Sequence, residues 1–163
     1  MPVETGTRAP EFTLPDAEGA THRFDDANAR GPVVVGLYKS SCQASKTMFP
    51  FLERISQVYP SERLTVWGVS QDSPNVTKSF ARRYGITFPI LIDQDDYAVS
   101  RAFDILATPT VFVVSASGEI VWQVMGFQKP AMDELSAKVA ELLGVDSVDI
   151  TSGTDDVSPW VPG

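Results

Sequence analysis

The run PVVVGLY at 32–38 constrains the fold more than any other stretch of the chain. It is short, β-branched and unbroken by polar residues, which is the pattern of a strand buried on both faces. Such a strand needs apolar cover above and below it. A second run of the same kind, LTVWGVS at 64–70, follows one helical segment later. Between the two, Met48, Phe51, Leu52, Ile55, Val58 and Tyr59 recur at helical spacing, with Pro50 inside the helix as a kink. SPNVTKSFARRYG then supplies a serine cap, a proline in the first turn and Gly85 as terminator of a second helix. Strands that alternate with helices imply a parallel sheet covered on both sides.

The flanks complete an α/β fold with a mixed central β-sheet, helices on both faces and an N-terminal β-hairpin. EFTL and THRF enclose PDAEG, a hairpin with Gly19 in its turn. FPILID reads as a short strand and DDYAVSRAFDI (95–105) as a short helix. TPTVFVVSASGEIVWQVMG gives two strands joined by a tight turn. In KPAMDELSAKVAELLG, Met132, Leu135, Val139, Leu142 and Leu143 share one face of a closing helix. Residues 1–144 make one domain on this reading, and 145–163 an acidic tail rich in Ser, Gly and Pro.

Charge narrows the partners. The formal net charge is −8, and the 13 Lys and Arg residues are scattered. Nucleic acid and anionic membrane both reward dense basic patches, so neither is expected as a partner. No apolar run approaches the roughly 20 residues that span a bilayer. The start, MPVETGTRAPEF, shows no charged-then-apolar leader. The sequence as it stands reads as cytoplasmic, or as periplasmic or extracytoplasmic where a leader has been removed. The motifs carry no signal of oligomeric state.

The chain has one cysteine, Cys42 in SSCQASK, which excludes an internal disulfide and a C-x-x-C zinc site. Cys42 follows the first buried strand and opens a helix, a junction at which sites form in parallel sheets. Lys46 lies four residues on and Pro50 eight. Thr108-Pro109-Thr110 precedes the strand VFVV, and Gly126 follows the last hairpin strand. In this order and spacing the chain resembles the thioredoxin-like superfamily. APEFTLPDAEG and GVSQDSPNVTKSFARRYGITFPILID narrow the resemblance to the TlpA/ResA-like thiol-disulfide oxidoreductases, related to the AhpC/TSA proteins, over about residues 8 to 144.

The resemblance implies a thioredoxin-like fold, a cis-proline at Pro109, and Cys42 as attacking nucleophile. It also implies that Ser41, Gln43, Ala44, Thr108 and Pro109 meet the substrate, with the Thr108 backbone offering strand-like bonds to an extended segment. Three positions depart from the pattern. Ser41 replaces the family's tryptophan, Ser45 its second cysteine, and Gly36 the buried acid that thioredoxins use as a proton relay. The motif is therefore C-x-x-S.

A helix N-terminus favours negative charge, so the thiolate of Cys42 is favoured there, with Lys39 and Lys46 adding attraction and partial exposure expected. The Ser45 hydroxyl is placed to donate a hydrogen bond to it. Cys42 can attack a disulfide and form a mixed disulfide. Serine at 45 cannot resolve that bond, so an external thiol must recycle the enzyme. The reading is thiol-disulfide exchange by a monothiol oxidoreductase, or by a form of a dithiol reductase with serine in the resolving position. Its substrate is a disulfide-containing protein or glutathione, with no metal and no organic cofactor.

Two alternatives stand beside it. One is a non-catalytic binding module built on the Thr108-Pro109 loop. The other is a one-cysteine peroxidase recycled by an external thiol. Peroxiredoxins carry a proline seven residues before the cysteine and Thr or Ser three before; here these positions are Val35 and Lys39. His22, the only histidine, reads as an exposed strand residue. Asp93, Asp95 and Asp96 do not match calcium-loop spacing and read as a solvated helix N-terminus.

Overall fold

The structure is a computed structural model that describes residues 2–60 and 62–163. In chain order its elements are β1 (Thr13–Pro15), β2 (Thr21–Arg23), α1 (Phe24–Arg30), β3 (Val33–Tyr38), α2 (Gln43–Val58), β4 (Thr65–Ser70) and α3 (Pro74–Tyr84). There follow β5 (Ile90–Ile92), α4 (Ala98–Ala102), β6 (Thr110–Val114), β7 (Ile120–Met125), β8 (Phe127–Gln128), α5 (Lys129–Leu143) and β9 (Trp160–Val161). The central sheet runs β5-β4-β3-β6-β7. β3, β4 and β5 are parallel, while β6 and β7 pair antiparallel. All six residues of β3 and of β4 are buried, as an unbroken apolar run requires of a central strand.

Side chains alternate across this sheet and build two cores. Val34, Tyr38 and Val66 point to the face covered by α2, α3 and α5. Val33, Val35, Leu37, Trp67 and Val69 point to the other, where Phe24 and Ala27 of α1, Val99 of α4 and Phe103 cover them. On the first face the paired glycines Gly36 and Gly68 form a slot for the ring of Phe49. A Cβ on Gly36 would fall 2.9 Å from Leu52 Cδ1, and one on Gly68 2.9 Å from Phe49 Cε2. The close approach of α2 to the sheet depends on both positions lacking a side chain.

The cap signals act as read. Ser73 Oγ accepts the Val76 N–H, Pro74 opens α3, and Gly85 closes it in the left-handed region. Other details differ from expectation. α1 was not anticipated; it begins at Phe24, where the hairpin strand was expected to continue. Its seven residues carry only two buried apolar side chains, too few to show a period. Val58, placed on the buried face of α2, is exposed in the last turn. Asp93 is not solvated: it is 2% exposed, and its carboxylate accepts the Val99 and Ser100 N–H groups at 3.1 and 2.8 Å. It caps the start of α4 from inside the protein.

The N-terminal hairpin turns on Asp16. One carboxylate oxygen accepts the Glu18 and Ala20 N–H groups at 2.8 and 3.0 Å, and the other meets His22 Nε2 at 2.8 Å. His22 is half-buried rather than exposed, set edge-on to Trp67. Burial works to raise the Asp16 carboxyl, but the His22 ring and the two amides outweigh it and hold the group below its ordinary value of 3.8. A lowered carboxylate contributes stability that is complete above the ordinary value and is lost as pH falls through the lowered one. Asp16→Asn is therefore expected to cost about 1–2 kcal/mol at pH 7. Urea titrations should show the gap from the parent protein closing below pH 3.8.

Residues 145–163 lie back along α5 and α2. Tyr59 Oη accepts the Val148 N–H, and Arg54 donates to the Ile150 carbonyl at 2.7 Å. Asp133 accepts the Thr151 hydroxyl at 2.6 Å. Lys129 Nζ donates to the Thr154 and Val157 carbonyls. Finally β9 pairs antiparallel with β8, which brings Trp160 to the edge of the molecule that carries Cys42.

Candidate functional site

Cys42 stands where the chain leaves the carboxyl end of β3 and enters α2. Its backbone is extended (φ −84°, ψ 124°), so it is the N-cap of that helix, and its carbonyl accepts the Lys46 N–H at 3.1 Å. The approach is fixed as well: the Cys42 N–H donates to Lys39 O at 3.1 Å, and the Ser40 N–H to Asp72 Oδ2 at 2.7 Å. The thiol is half-buried, as expected. It makes no capping bond to the first-turn amides. Instead Sγ–H donates to the Thr108 carbonyl at 3.3 Å.

The loop that carries this carbonyl is tied down on both sides. The Thr108–Pro109 peptide is cis. Pro109 is buried and its carbonyl accepts the Gly126 N–H at 2.8 Å, while the Thr110 hydroxyl donates to Ala107 O at 2.7 Å. The three segments that the sequence singled out, at Cys42, Thr108-Pro109 and Gly126, thus meet at one end of the sheet.

The flanking residues divide by exposure. Ser41 and Gln43 are exposed on either side of the thiol, and Thr108 is half-buried. Ala44, expected to meet substrate, is 0% exposed and packs in the core beneath α2. The helical turn that leaves Gln43 outside carries Ala44 towards the sheet, so its side chain is out of a substrate's reach. Ser45 is also 0% exposed, and its hydroxyl has no hydrogen-bond partner. The expected bond from Ser45 to the sulfur is not formed. Gly36 offers no room for a relay acid, because Leu52 and Phe49 fill the space its side chain would take.

At the end of β3 the Tyr38 phenol is buried, with no well-formed hydrogen bond among the described residues. Burial pushes it well above its ordinary range, while the neighbouring Ser70 and Thr77 hydroxyls, bonded to each other at 2.8 Å, offset this only in part. A cleft of about 550 Å³ opens beside Gln43, between α2 and the returning chain. Gln43, Lys46, Phe51 and Arg54 line one wall, and Val157 and Val161 the other. Among the described residues no group of three or more His, Cys, Asp or Glu lies close enough to hold a metal ion.

The sequence reading missed the wall that residues 157–163 contribute. SPWVPG is extended by composition, but nothing local names the strand it pairs with.

A sheet of this order, with its thiol at a strand-to-helix junction and a cis-proline opposite, is that of the thioredoxin-like class. The AhpC/TSA family profile matches residues 5–123, and the chain belongs to that family. It is 30% identical over 125 residues to the thiol-disulfide oxidoreductase ResA of Geobacillus kaustophilus, covering 76% of this chain and 71% of that protein. To ResA of Bacillus subtilis it is 26% identical over 131 residues, covering 80% and 72%. Among solved structures, a thiol:disulfide interchange protein from Bacteroides sp. superposes with a TM-score of 0.75 at 22% identity, over 88% of this chain and 93% of that one. Among the described residues, no helix is long and apolar enough to cross a membrane.

Proposed function

We propose that this protein is a thiol-disulfide oxidoreductase that works through Cys42 alone. The observation that carries this reading is the half-exposed thiol held 3.3 Å from the carbonyl of a cis-proline loop, with Ser45 buried and unbonded behind it. In the first step Cys42 sulfur attacks one sulfur of the substrate disulfide. The old S–S bond breaks, a Cys42–substrate disulfide forms, and the departing sulfur takes up a proton. An external thiol then attacks the mixed disulfide and restores Cys42, its own sulfur now joined to the substrate. Ser41, Gln43, Thr108 and the backbone of Pro109 are the groups that meet a substrate in this site. A disulfide-containing protein or glutathione disulfide is the partner, and glutathione or another thiol recycles the enzyme. Stable disulfides are rare in a reduced cytosol, which favours an extracytoplasmic place of work.

The test is to incubate the native protein with glutathione disulfide and follow its intact mass. Adduct formation at Cys42, reversed by added glutathione and absent in Cys42→Ala, is the expected result. A thiol that forms no adduct unless the protein is unfolded would end the catalytic reading and leave a binding module.

A further inference from the structure

The chain after α5 has two parts of different character. As far as Thr154 it is anchored: Ile150 and Thr154 are buried, and Tyr59, Arg54, Asp133 and Lys129 hold it by hydrogen bonds. From Ser158 onward every residue except the half-buried Val161 is exposed, and Trp160 is 60% exposed. The regular main-chain ties there are the two-residue pairing with β8 and one bond from the Lys129 N–H to Pro159 O at 2.8 Å. Segments with so little buried apolar surface open locally at low cost.

This loosely held part lies on the site. Gly163 packs so closely on the cis-proline loop that a Cβ there would sit 2.5 Å from the Thr108 carbonyl oxygen. That oxygen is the one to which Cys42 donates its proton. A Cβ on Gly126 would likewise meet Gly163 N at 3.2 Å and Val161 O at 3.4 Å. The backbone of 161–163 therefore covers both Thr108 and Gly126. The cleft between this strand and α2 stays open to a small molecule beside Gln43.

We propose that residues 158–163 are a displaceable, autoinhibitory cover on the Cys42 site. The strand shields the Thr108–Pro109 loop from an extended, disulfide-bearing polypeptide and swings away on its Thr154–Val157 root when such a polypeptide binds. Small disulfides reach the sulfur without moving it. The proposal rests on the reading of Cys42 as the attacking thiol.

Its test uses the full chain and the variant Gly163→Ala, whose added methyl group collides with Thr108 O and leaves Cys42 untouched. Two probes are compared. One is 2,2′-dithiodipyridine; the other is an unstructured peptide whose single cysteine carries a 2-thiopyridyl disulfide. In each case Cys42 sulfur forms the new S–S bond, and pyridine-2-thione leaves with the proton and is read by its absorbance. Overpacking of this kind is expected to speed the peptide reaction about tenfold. The small probe should change by no more than about twofold.

A peptide rate that is unchanged or lower in the variant overturns the proposal and makes the strand a fixed wall. A thiol unreactive towards both probes in both proteins sinks the reading of Cys42 itself, and the cover with it. Hydrogen exchange on the parent protein gives an independent readout. Once the peptide is joined to Cys42, the amides of Lys129, which donates to Pro159 O, and of Val161 should lose protection while those of Ile150 and Thr154 keep theirs. Protection retained at Lys129 and Val161 would overturn the proposal as well.

Discussion

Ser45→Cys is expected to turn a mixed disulfide that waits for an outside thiol into one that resolves itself. Under the proposed mechanism, glutathione joined to Cys42 of the parent protein would leave only when another thiol attacks. A thiol at 45 would attack Cys42 sulfur within the molecule, close a disulfide between positions 42 and 45 and expel glutathione. Positioned neighbours act at effective concentrations far above millimolar solution thiols, so release should accelerate about 10²-fold or more over 1 mM external thiol. The same substitution should stabilise the fold. The Ser45 hydroxyl is buried with no partner, and an unsatisfied buried hydroxyl costs about 1–3 kcal/mol. A reduced cysteine behaves as a small apolar side chain, so a gain of about 1 kcal/mol is expected, seen as a higher urea midpoint at unchanged slope. Mass spectrometry of the adduct over time decides the chemical half. An adduct as long-lived as the parent's would show that position 45 does not reach the sulfur.

Gly36→Asp should have the largest effect on stability. The position is where thioredoxins carry a buried acid, and restoring it is the obvious repair of the site. The fold does not allow it. A side chain there meets Leu52 at 2.9 Å and Phe49 at 3.4 Å, on a central strand whose six residues are all buried. Overpacking and the burial of a carboxyl without a partner add, for a loss of about 4 kcal/mol. That is a large share of the roughly 5–15 kcal/mol typical of a domain. Chemical denaturation would measure it, and a variant within about 1 kcal/mol of the parent would mean that α2 can move off the sheet. Whatever proton transfer accompanies exchange at Cys42 therefore uses groups other than residue 36.

The two expectations share a cause. At both positions the sequence shows which residue type is missing, and the packing around it shows what that absence means. Ser45 buries a hydroxyl with no partner among the described residues, which a thiol would replace without losing a hydrogen bond. Gly36 sits in a space already taken by Phe49 and Leu52. C-x-x-S and the missing acid look alike in the sequence, as two absent functional groups, yet only the first is expected to be restorable in this fold.

Legibility followed the range of the interaction. The buried strands at 33–38 and 65–70, the capped helix at 74–84 and the thiol at the mouth of a helix are written in local patterns. Burial on both faces leaves an unbroken apolar run, and Ser73, Pro74 and Gly85 bracket a helix by their own backbone chemistry. The meeting of Cys42 with Thr108 and Gly126 was legible through family resemblance, because the order of strands fixes which loops share an end of the sheet. α1 escaped notice because two apolar residues make no period, although Asp25, Asp26 and Arg30 sit where a helix dipole favours them.

By itself, then, the sequence determined the central sheet, its helices other than α1 and the place of the one thiol, since periodicity and capping are properties of neighbouring residues. Tertiary structure alone decided that Asp93 is an internal cap, that Ala44 and Ser45 face the core, and that 161–163 return to lie against Thr108 and Gly126. The first two depend on which side of an element meets the core, and the third on pairing between distant segments, for which an exposed stretch carries no local pattern that names its partner.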